Sequence, residues 1–443
     1  MNYKKLFNLA QEKGITDLEL YISKNRKLAI SMYHKNVESY NVSDNEVMSA
    51  RGIYNGKMGY VFCEKLTNDS FDFIIDSIIK NANIIEENKK VDIFAGSEKY
   101  RKYKTYNDSF DLVPASEKIK KMIETEDFAA KLDDRVEISG SNYEEEETKV
   151  TIMNSKGLNL SQRSVVAIYF MEAVAKENDD IKTSFEYQLM GNYQEFDPIS
   201  VAKKTVYGAL SKLHAEPVKS KKYKILMDSK VLASMINALM GSVSGDAVNK
   251  QKSKLVGKLN SKIASSKVTL IENPLVKEYP FFYRFFDDEG VATYKKKIID
   301  KGVLKTFLYN LESSAQAHCK STGNGYKNGA LGTVGTSTAF LKLLPGKKTK
   351  EELINKVKKG LQICDVQGLH AGMDALSGNF SLQASGYLIE NGKISKPVNL
   401  ITIAGNLFKL FEDIIEVGND SFVTYSGIDC PSVIIKSLVV SGK

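Results

Sequence analysis

The chain has 443 residues, of which 42% are hydrophobic and 26% charged, a composition typical of globular proteins that excludes a disordered or collagen-like chain. Its net charge of +8 comes from 62 basic and 54 acidic residues spread along the whole length. No concentrated polyanion-binding tail is present, so no nucleic-acid partner is expected. At roughly 150 residues per domain, the length predicts two or three domains.

The four cysteines, Cys63, Cys319, Cys364 and Cys430, are far apart and form no CxxC pair. This spacing indicates neither a disulfide framework nor a zinc ribbon, and it fits a reducing compartment. The first residues, MNYKKLFNLAQEKG, lack the apolar core of a signal peptide, and no window approaches the roughly 18 apolar residues of a membrane span. We therefore expect a cytoplasmic protein without a membrane partner.

Residues 1–112 predict an α+β domain. A short amphipathic helix precedes strand-like alternation at 15–22 and 27–40, and 52–62 predicts two strands around Asn55-Gly56, a dipeptide that favours hairpin turns. At 68–87 the apolar side chains recur about every 3.6 residues, which predicts a helix packed on this sheet. Residues 88–112 are polar, with scattered tyrosines, and predict a linker.

Residues 113–222 predict a second helix-and-sheet domain. Ser116 is a candidate cap of its helix. Strands are predicted at 165–175 and 181–190, with a turn at Asn178-Asp179-Asp180 between them.

From residue 223 onward, glycine-punctuated strands dominate and predict a third, mostly β domain at 223–443. Its predicted strands are 268–272, 292–300, 303–309, 338–344 and 381–389. Two amphipathic helices are predicted within it, at 229–241 and 406–416. The fold class is therefore α+β, with an N-terminal helix-and-sheet region followed by a mostly antiparallel β C-terminal domain.

Three runs in this last domain are only partly explained by local structure. The first is GLHAGMDALSGNFS at 368–381, followed by IENG at 389–392, PV at 397–398 and TIAGN at 402–406. The second is SGDAVNK at 244–250, which leads to a run ending at Pro274. The third is DDEG at 287–290, with GVL at 302–304 and TGN at 322–324.

In content and order these runs resemble the signature blocks of the TldD/PmbA metallopeptidase family, whose C-terminal blocks read G-x-H-S-G, G-x-F-S, I-E-N-G, P-V and T-I-A-G-N. The resemblance is specific over about 223–443 and looser but colinear over 1–222. It implies a peptidase-family fold and a peptide as the substrate class.

In the catalytic branch of that family, a helix carries H-E-x-x-x-H just before the segment matching 244–246. Zinc peptidase chemistry needs neutral imidazoles, an open position for water and a glutamate as general base. Here the corresponding positions are Ile236, Asn237 and Gly241, and none can ligate zinc as imidazole or carboxylate. The resemblance therefore implies the PmbA (TldE) branch, with no catalytic residue, metal or other cofactor in this chain and with zinc in a partner subunit.

Other residues have ligand chemistry. Cys430 is the candidate for the family's cysteine zinc ligand. Because the two histidine ligands are absent from this chain, a buried thiol is the better interpretation. His318, predicted on a helix at 312–320, is interpreted as a surface or capping histidine. The acidic run 287–289 is interpreted as a turn with solvated carboxylates.

His370 lies in the glycine-punctuated loop 368–378, where a ligand contact and a structural hydrogen bond both remain open and the hydrogen bond is preferred. The alternation at 378–385 is that of a half-buried strand, and Asn391-Gly392 suits a two-residue hairpin turn, so a scaffold role explains the pattern. The resemblance adds that this sheet lines a cavity shared with the partner, where an extended peptide pairs with strand edges. The candidate peptide-binding residues are His370, Asn379, Phe380 and Ser381.

The leading hypothesis is a subunit without its own hydrolytic centre that pairs with a TldD-like zinc-bearing homologue and binds extended or unfolded peptide. One rival is a stand-alone peptidase that uses another metal site or nucleophile near His370 and Cys364. Another is a non-enzymic regulator. A homodimer is kept as an alternative assembly.

Overall fold

The computed structural model describes residues 2–64, 67–86 and 92–443. Its N-terminal unit contains four helices and six strands among these residues. In chain order they are α1 (Tyr3–Glu12), β1 (Ile15–Tyr33), β2 (Asn36–Tyr54), β3 (Lys57–Cys63), α2 (Phe71–Ile84), α3 (Ala115–Ala129), β4 (Val136–Asn154), β5 (Asn159–Glu177), β6 (Asp180–Met190) and α4 (Pro198–Leu210).

All six strands form one antiparallel sheet in the order β3-β2-β1-β4-β5-β6. The helices cover one face of it: Leu18, Leu20 and Ile22 of β1 are buried against α1 and α2, and Ile30 and Met32 are buried in the α3–α4 core. The opposite face carries Tyr21, which packs on Phe285 and Phe286 of the C-terminal unit.

The C-terminal unit is built from strands of 2 to 14 residues and six helices within the described residues. They are β7 (Lys221–Met227), α5 (Ser229–Val243), α6 (Gly245–Asn249), β8 (Leu270–Glu272), β9 (Lys296–Asp300), β10 (Val303–Leu304), α7 (Leu311–Gln316), β11 (Gly325–Lys327), β12 (Val334–Thr336), β13 (Leu341–Leu343), α8 (Lys350–Val357), β14 (Gly360–Gln367), α9 (Leu369–Gly372), β15 (Asn379–Glu390), β16 (Lys393–Asn406), α10 (Leu407–Glu412), β17 (Ile414–Val417), β18 (Phe422–Val423), β19 (Ile428–Cys430) and β20 (Val433–Ser441).

Two six-stranded sheets organise this unit. One has the order β16-β15-β14-β7-β20-β17, and a further pairing between β16 and β20 closes five of its strands into a ring. The other has the order β10-β9-β8-β13-β19-β18. Only β7–β14 and β13–β19 pair in parallel among the described strands. The mixed α+β architecture with mostly antiparallel sheets is therefore confirmed.

Among the described residues, four tight turns have the left-handed conformation of two-residue hairpins: His34-Lys35, Lys301-Gly302, Asn55-Gly56 and Asn391-Gly392. The last two are the dipeptides from which turns were predicted. The first was missed, so the strands predicted at 15–22 and 27–40 are in fact two continuous strands, β1 and β2, joined at His34.

Several predicted elements are wrong in extent. The strand predicted at 303–309 is only β10, and the helix predicted at 406–416 ends at Glu412 because Ile414 and Val417 pair with β20. Helix α3 begins at Ala115 with Pro114 as its cap, so Ser116 lies inside the helix.

The linker predicted at 88–112 is described from residue 92, where it is largely irregular and forms one bridge to β5; residues 88–91 lie outside the described residues. The predicted boundary at 112 falls between strands of a single sheet, and both this boundary and the one at 222 stay predictions. No helix in the described part of the chain is long and apolar enough to cross a membrane.

Candidate functional site

Helix α5 carries the three positions that correspond to the zinc motif. Asp228 caps the helix by accepting a hydrogen bond from Ser229 N at 2.8 Å. Ile236 is fully buried in the core of the C-terminal unit. Asn237 and Gly241 lie on the exposed face, and a Cβ added at Gly241 would meet nothing within 4 Å. The first motif position therefore points into the protein, and the other two face open space.

Cys430 lies at the other end of α5. Its thiol is fully buried, and Sγ donates a hydrogen bond to Ser229 O at 3.2 Å, so the predicted buried thiol is confirmed. At 1.5 Å of rise per residue, Gly241 is about 18 Å further along the helix axis than Ser229. Zinc ligands lie about 2 Å from the ion. Cys430 and Gly241 therefore cannot share one ion, and these residues do not fit a zinc centre.

Cys364 lies at a bulge in β14, between the paired residues Ile363 and Asp365. Burial raises the pKa of its thiol well above the ordinary value, and the carboxylate of Asp228 adds to this shift. The thiol is protonated at neutral pH, whereas the thiolate is the nucleophilic form. Within residues 2–64, 67–86 and 92–443, no three His, Cys, Asp or Glu side chains form a group that could hold a metal ion.

His370 is exposed on α9, at the start of the predicted peptide-binding loop. It forms no hydrogen bond or ion pair with any described residue, so the structural hydrogen bond preferred from the sequence is absent there. His318 is also exposed, but α7 ends at Gln316, so the helix predicted to reach residue 320 is wrong.

The loop after His370 is held by two side chains that the sequence analysis missed. Asp374 Oδ1 accepts hydrogen bonds from Leu376 N at 2.9 Å and Ser377 N at 2.6 Å. Asn406 Nδ2 donates to Ser377 O at 2.8 Å and to Asn379 Oδ1 at 2.9 Å, while its Oδ1 caps α10. Asx turns and caps of this kind are the signal that could have identified both residues.

The three remaining candidates follow the alternation of β15. Asn379 and Ser381 are exposed, whereas Phe380 is only 4% exposed and belongs to the core. Over 379–384 the strand pairs with β16, and it meets β14 only from Gln383 onward. The loop and the start of β15 thus expose His370, Asn379 and Ser381 to solvent. The side chain of Phe380 packs in the core on the opposite face of the strand.

The acidic turn at 287–290 is buried, so its interpretation as a turn with solvated carboxylates is wrong. Asp287 is fully buried and accepts backbone hydrogen bonds from Glu289 at 3.1 Å, Val291 at 2.9 Å and Gly325 at 2.8 Å. Burial raises the pKa of the Asp287 and Glu289 carboxyls, and the backbone N–H donors to Asp287 oppose the shift there.

This turn joins the two units of the protein. Glu289 lies 3.9 Å from Arg51 of β2, which forms a second ion pair with Glu19 at 2.7 Å. Tyr21 donates its hydroxyl hydrogen to Asp288 Oδ1 at 3.2 Å. The carboxylates of the DDEG block therefore have a structural role, docking the C-terminal unit on the N-terminal sheet.

Comparison with protein families gives three consecutive matches. Residues 18–82 match the PmbA/TldA metallopeptidase domain 1, 108–213 match the central domain, and 220–442 match the C-terminal domain.

Two relatives match this chain over different shares of its length. A metalloprotease PmbA homolog of Buchnera aphidicola is 28% identical over 440 residues, which cover 96% of this chain and 95% of the relative. Metalloprotease PmbA of Escherichia coli O157:H7 is 30% identical over 278 residues, which cover 61% of this chain and 57% of the relative.

Two crystal structures extend the likeness to the fold. One, of a Thermotoga maritima protein described as a candidate modulator of a DNA gyrase, is 29% identical with a TM-score of 0.91, and the match covers 99% of both chains. The other, TldE from Thermococcus kodakarensis, has 21% identity and a TM-score of 0.92, and the match covers 99% of this chain and all of that one.

Proposed function

Because the chain belongs to the PmbA branch of the TldD/PmbA metallopeptidase family, we propose that it is the substrate-holding subunit of a two-protein peptidase. The second protein is a TldD-like homologue that binds the catalytic zinc. The complex processes or degrades extended or unfolded peptides. The present chain contributes binding surface and no hydrolytic group.

The proposal is supported mainly by the residues at the motif positions of α5 and by the distance of Cys430 from them. Ile236 occupies the first position of the motif and is part of the core, Gly241 occupies the last position and has no side chain, and Cys430 lies at the opposite end of the helix. A catalytic zinc site needs three protein ligands and an open position for water. Zinc in the partner supplies the activated water in this proposal, and no step of hydrolysis is assigned to the present chain.

The proposed peptide-binding surface is the preorganised loop at 368–381. Asp374 and Asn406 hold its backbone, so little conformational entropy is lost when a peptide binds. His370, Asn379 and Ser381 offer hydrogen-bonding groups that are not needed for folding the core. On the side of β15 that β14 leaves free at 379–382, Met373 bridges to Phe380 and Asp374 N donates to Asn379 O, so side-chain contacts are favoured over addition of a peptide strand to this edge.

The rival peptidase that acts through Cys364 receives less support. A nucleophilic cysteine needs a lowered thiol pKa, and burial acts in the opposite direction at Cys364. The rival predicts cleavage by the isolated chain, and this separates it from the proposal.

The test measures zinc by elemental analysis and cleavage of an unfolded peptide, for the chain alone and co-expressed with its TldD-like homologue. We expect neither zinc nor cleavage with the chain alone, and both with the co-purified complex. Full cleavage by the isolated chain, without a partner, would falsify the proposal.

A pair of variants tests the binding surface in the complex. His370→Ala/Ser381→Ala is expected to raise KM about tenfold with kcat unchanged, because it removes contacts made equally in the ground state and the transition state. Glu390→Ala/Lys393→Ala, at the opposite end of the β15–β16 hairpin, is the matched control and is expected to leave KM unchanged. Equal effects of the two pairs would exclude the loop as the binding surface.

A further inference from the structure

The segment 99–106, with the sequence KYRKYKTY, concentrates positive charge on the surface of the N-terminal unit. Four of its first six residues are basic, namely Lys99, Arg101, Lys102 and Lys104, and all four are exposed. None of them forms an ion pair with any residue in the described ranges. The chain has other basic runs, such as 219–224, so the case for this segment depends on the groove that its lysines line.

The fold does not need these four charges. The segment is anchored by Tyr100, whose hydroxyl donates to Gly290 O at 2.7 Å and accepts from Ser97 N at 2.8 Å. Tyr283 donates its hydroxyl hydrogen to Arg101 O at 2.6 Å. The basic head groups take no part in this anchoring, so they are available to a ligand.

Thr105 attaches the same segment to the sheet. It forms a parallel bridge with Ser164 of β5, and its hydroxyl donates to Arg163 O at 2.5 Å. Strand β6 pairs with β5 only from Ala167 onward, which leaves this part of the β5 edge free for the segment. The segment and the sheet edge enclose a groove.

The groove has a cavity of about 300 Å³. Lys102 and Lys104 both line it, together with Tyr103, Thr105, Tyr106, residues 161–163 and Phe285. The carboxylate of Glu147 is neutralised by Arg163 at 2.5 Å, and the described residues that line the cavity include no Asp or Glu. The uncompensated charge at the groove is therefore positive.

The spacing of the two lysines matches an extended polypeptide. In extended chain each residue advances about 3.3 Å, so alternate residues are about 6.6 Å apart. Lys102 and Lys104 are two residues apart on a segment without helix. A peptide that carries a carboxylate at every second residue repeats at the same distance.

The aromatic rings argue against single-stranded nucleic acid. Binding of bases relies on ring faces that are open for stacking. The Arg163 guanidinium lies 3.4 Å from the centroid of the Tyr106 ring. Tyr103 contacts Tyr283 at 5.1 Å between centroids and Lys277 Nζ at 5.2 Å. Protein groups therefore already contact both rings, whereas the ammonium groups of Lys102 and Lys104 have no ion-pair partner among the described residues.

We propose that this groove binds an extended acidic peptide segment, with carboxylates at alternate positions paired to Lys102 and Lys104. This surface is separate from the loop at 368–381, and its binding does not require the zinc-bearing partner. The proposal therefore stands or falls independently of the proposed function.

The test is fluorescence anisotropy of the full chain with a labelled peptide of alternating glutamate and serine. We expect binding that weakens as salt is raised, and no binding of the same peptide with glutamine in place of glutamate. Lys102→Glu/Lys104→Glu is expected to weaken binding about tenfold or more, because each attraction becomes a repulsion. Lys102→Gln/Lys104→Gln removes the attraction alone and is expected to give a smaller loss.

Lys219→Glu/Lys222→Glu is the matched control, since it reverses two exposed lysines of another basic run. It is expected to bind as the unchanged chain does. The proposal is overturned if the acidic peptide does not bind, if the control loses as much affinity as the groove variant, or if single-stranded DNA of equal charge binds more tightly through the same two lysines. Circular dichroism of each variant establishes that it is folded.

Discussion

Glu272 and Lys296 form an ion pair inside the C-terminal unit, with Nζ 2.6 Å from Oε2 and side chains 0% and 5% exposed. Asn324 completes the group, since its Nδ2 donates to Glu272 Oε1 at 2.8 Å and its Oδ1 accepts from Lys296 at 3.1 Å. Burial raises the pKa of the Glu272 carboxyl, and Lys296 opposes the shift. The TGN block at 322–324 thus holds a buried charge pair.

Lys296→Met leaves the Glu272 carboxylate buried without its cation. We expect the free energy of unfolding to fall by about 3–5 kcal/mol, the usual cost of removing one partner of a buried pair. Urea unfolding measures this change. Glu272→Leu/Lys296→Met is expected to recover most of the loss, because no charge stays buried; a double variant as unstable as the single one would contradict this account.

We predict that the stability of the fold depends on pH through the titration of Lys327. Its ammonium donates to Ser49 Oγ and lies 4.5 Å from the centroid of the Tyr21 ring, and burial lowers its pKa to about 8. Because the folded pKa is depressed, the stability contribution of Lys327 is present above its unfolded pKa of about 10.5 and is lost as pH falls through 8.

Between pH 8 and 10.5 the chain should therefore gain up to about 3 kcal/mol of stability relative to Lys327→Met. Urea unfolding of both proteins across this range measures the difference, and the variant serves as the control for the titration of other groups. A constant difference across the range would mean that Lys327 titrates normally in the folded protein.

Two glycines are expected to respond oppositely to alanine. Gly241 lies in α5 with open space around its Cβ position, so Gly241→Ala should stabilise the chain by up to about 1 kcal/mol through helix propensity. At Gly325 an added Cβ meets the carboxylate of Glu289, so Gly325→Ala should cost about 1–3 kcal/mol. Thermal unfolding compares the two variants. A destabilised Gly241→Ala chain would show that the face of α5 is more crowded than described.

Three of the four thiols are expected to differ in reactivity. Burial raises the pKa of Cys319, Cys364 and Cys430, but of these three only Cys319 is exposed. Iodoacetamide at neutral pH should modify Cys319 in the folded protein, and Cys364 and Cys430 only after unfolding. Mass spectrometry of peptides over time measures each rate. Modification of Cys364 as fast as Cys319 would instead favour the rival peptidase.

Local patterns predicted the elements that depend on local chemistry. The apolar stripe at 229–241 became α5, and Asn55-Gly56 and Asn391-Gly392 became hairpin turns. Local patterns failed where the conformation of a segment depends on pairing with a segment far away in the sequence. Ile414 and Ile415 continue a helical stripe in the sequence, but residues 414–417 leave the helix and pair with β20. Because β20 lies outside the residues around 406–416, local periodicity could not predict this pairing.

The candidate site shows the same division. Alternation predicted that Phe380 differs from Asn379 and Ser381 in exposure, but it did not reveal Asn406, which lies 27 positions from Asn379 and binds it. The acidic turn at 287–290 looked solvated because its residues are charged. It is buried because the N-terminal sheet covers it, and Tyr21, which bonds Asp288, lies 267 positions away.

The sequence by itself determined the α+β class, the family, and the presence of Ile236, Asn237 and Gly241 at the motif positions, because these follow from residue identity and local periodicity. Only the tertiary structure decided that Ile236 is part of the core, that Cys430 lies beside Ser229, and that Lys102 and Lys104 share a groove. Burial and contact depend on which distant segments pack together, and the free energy of that packing belongs to the whole folded chain.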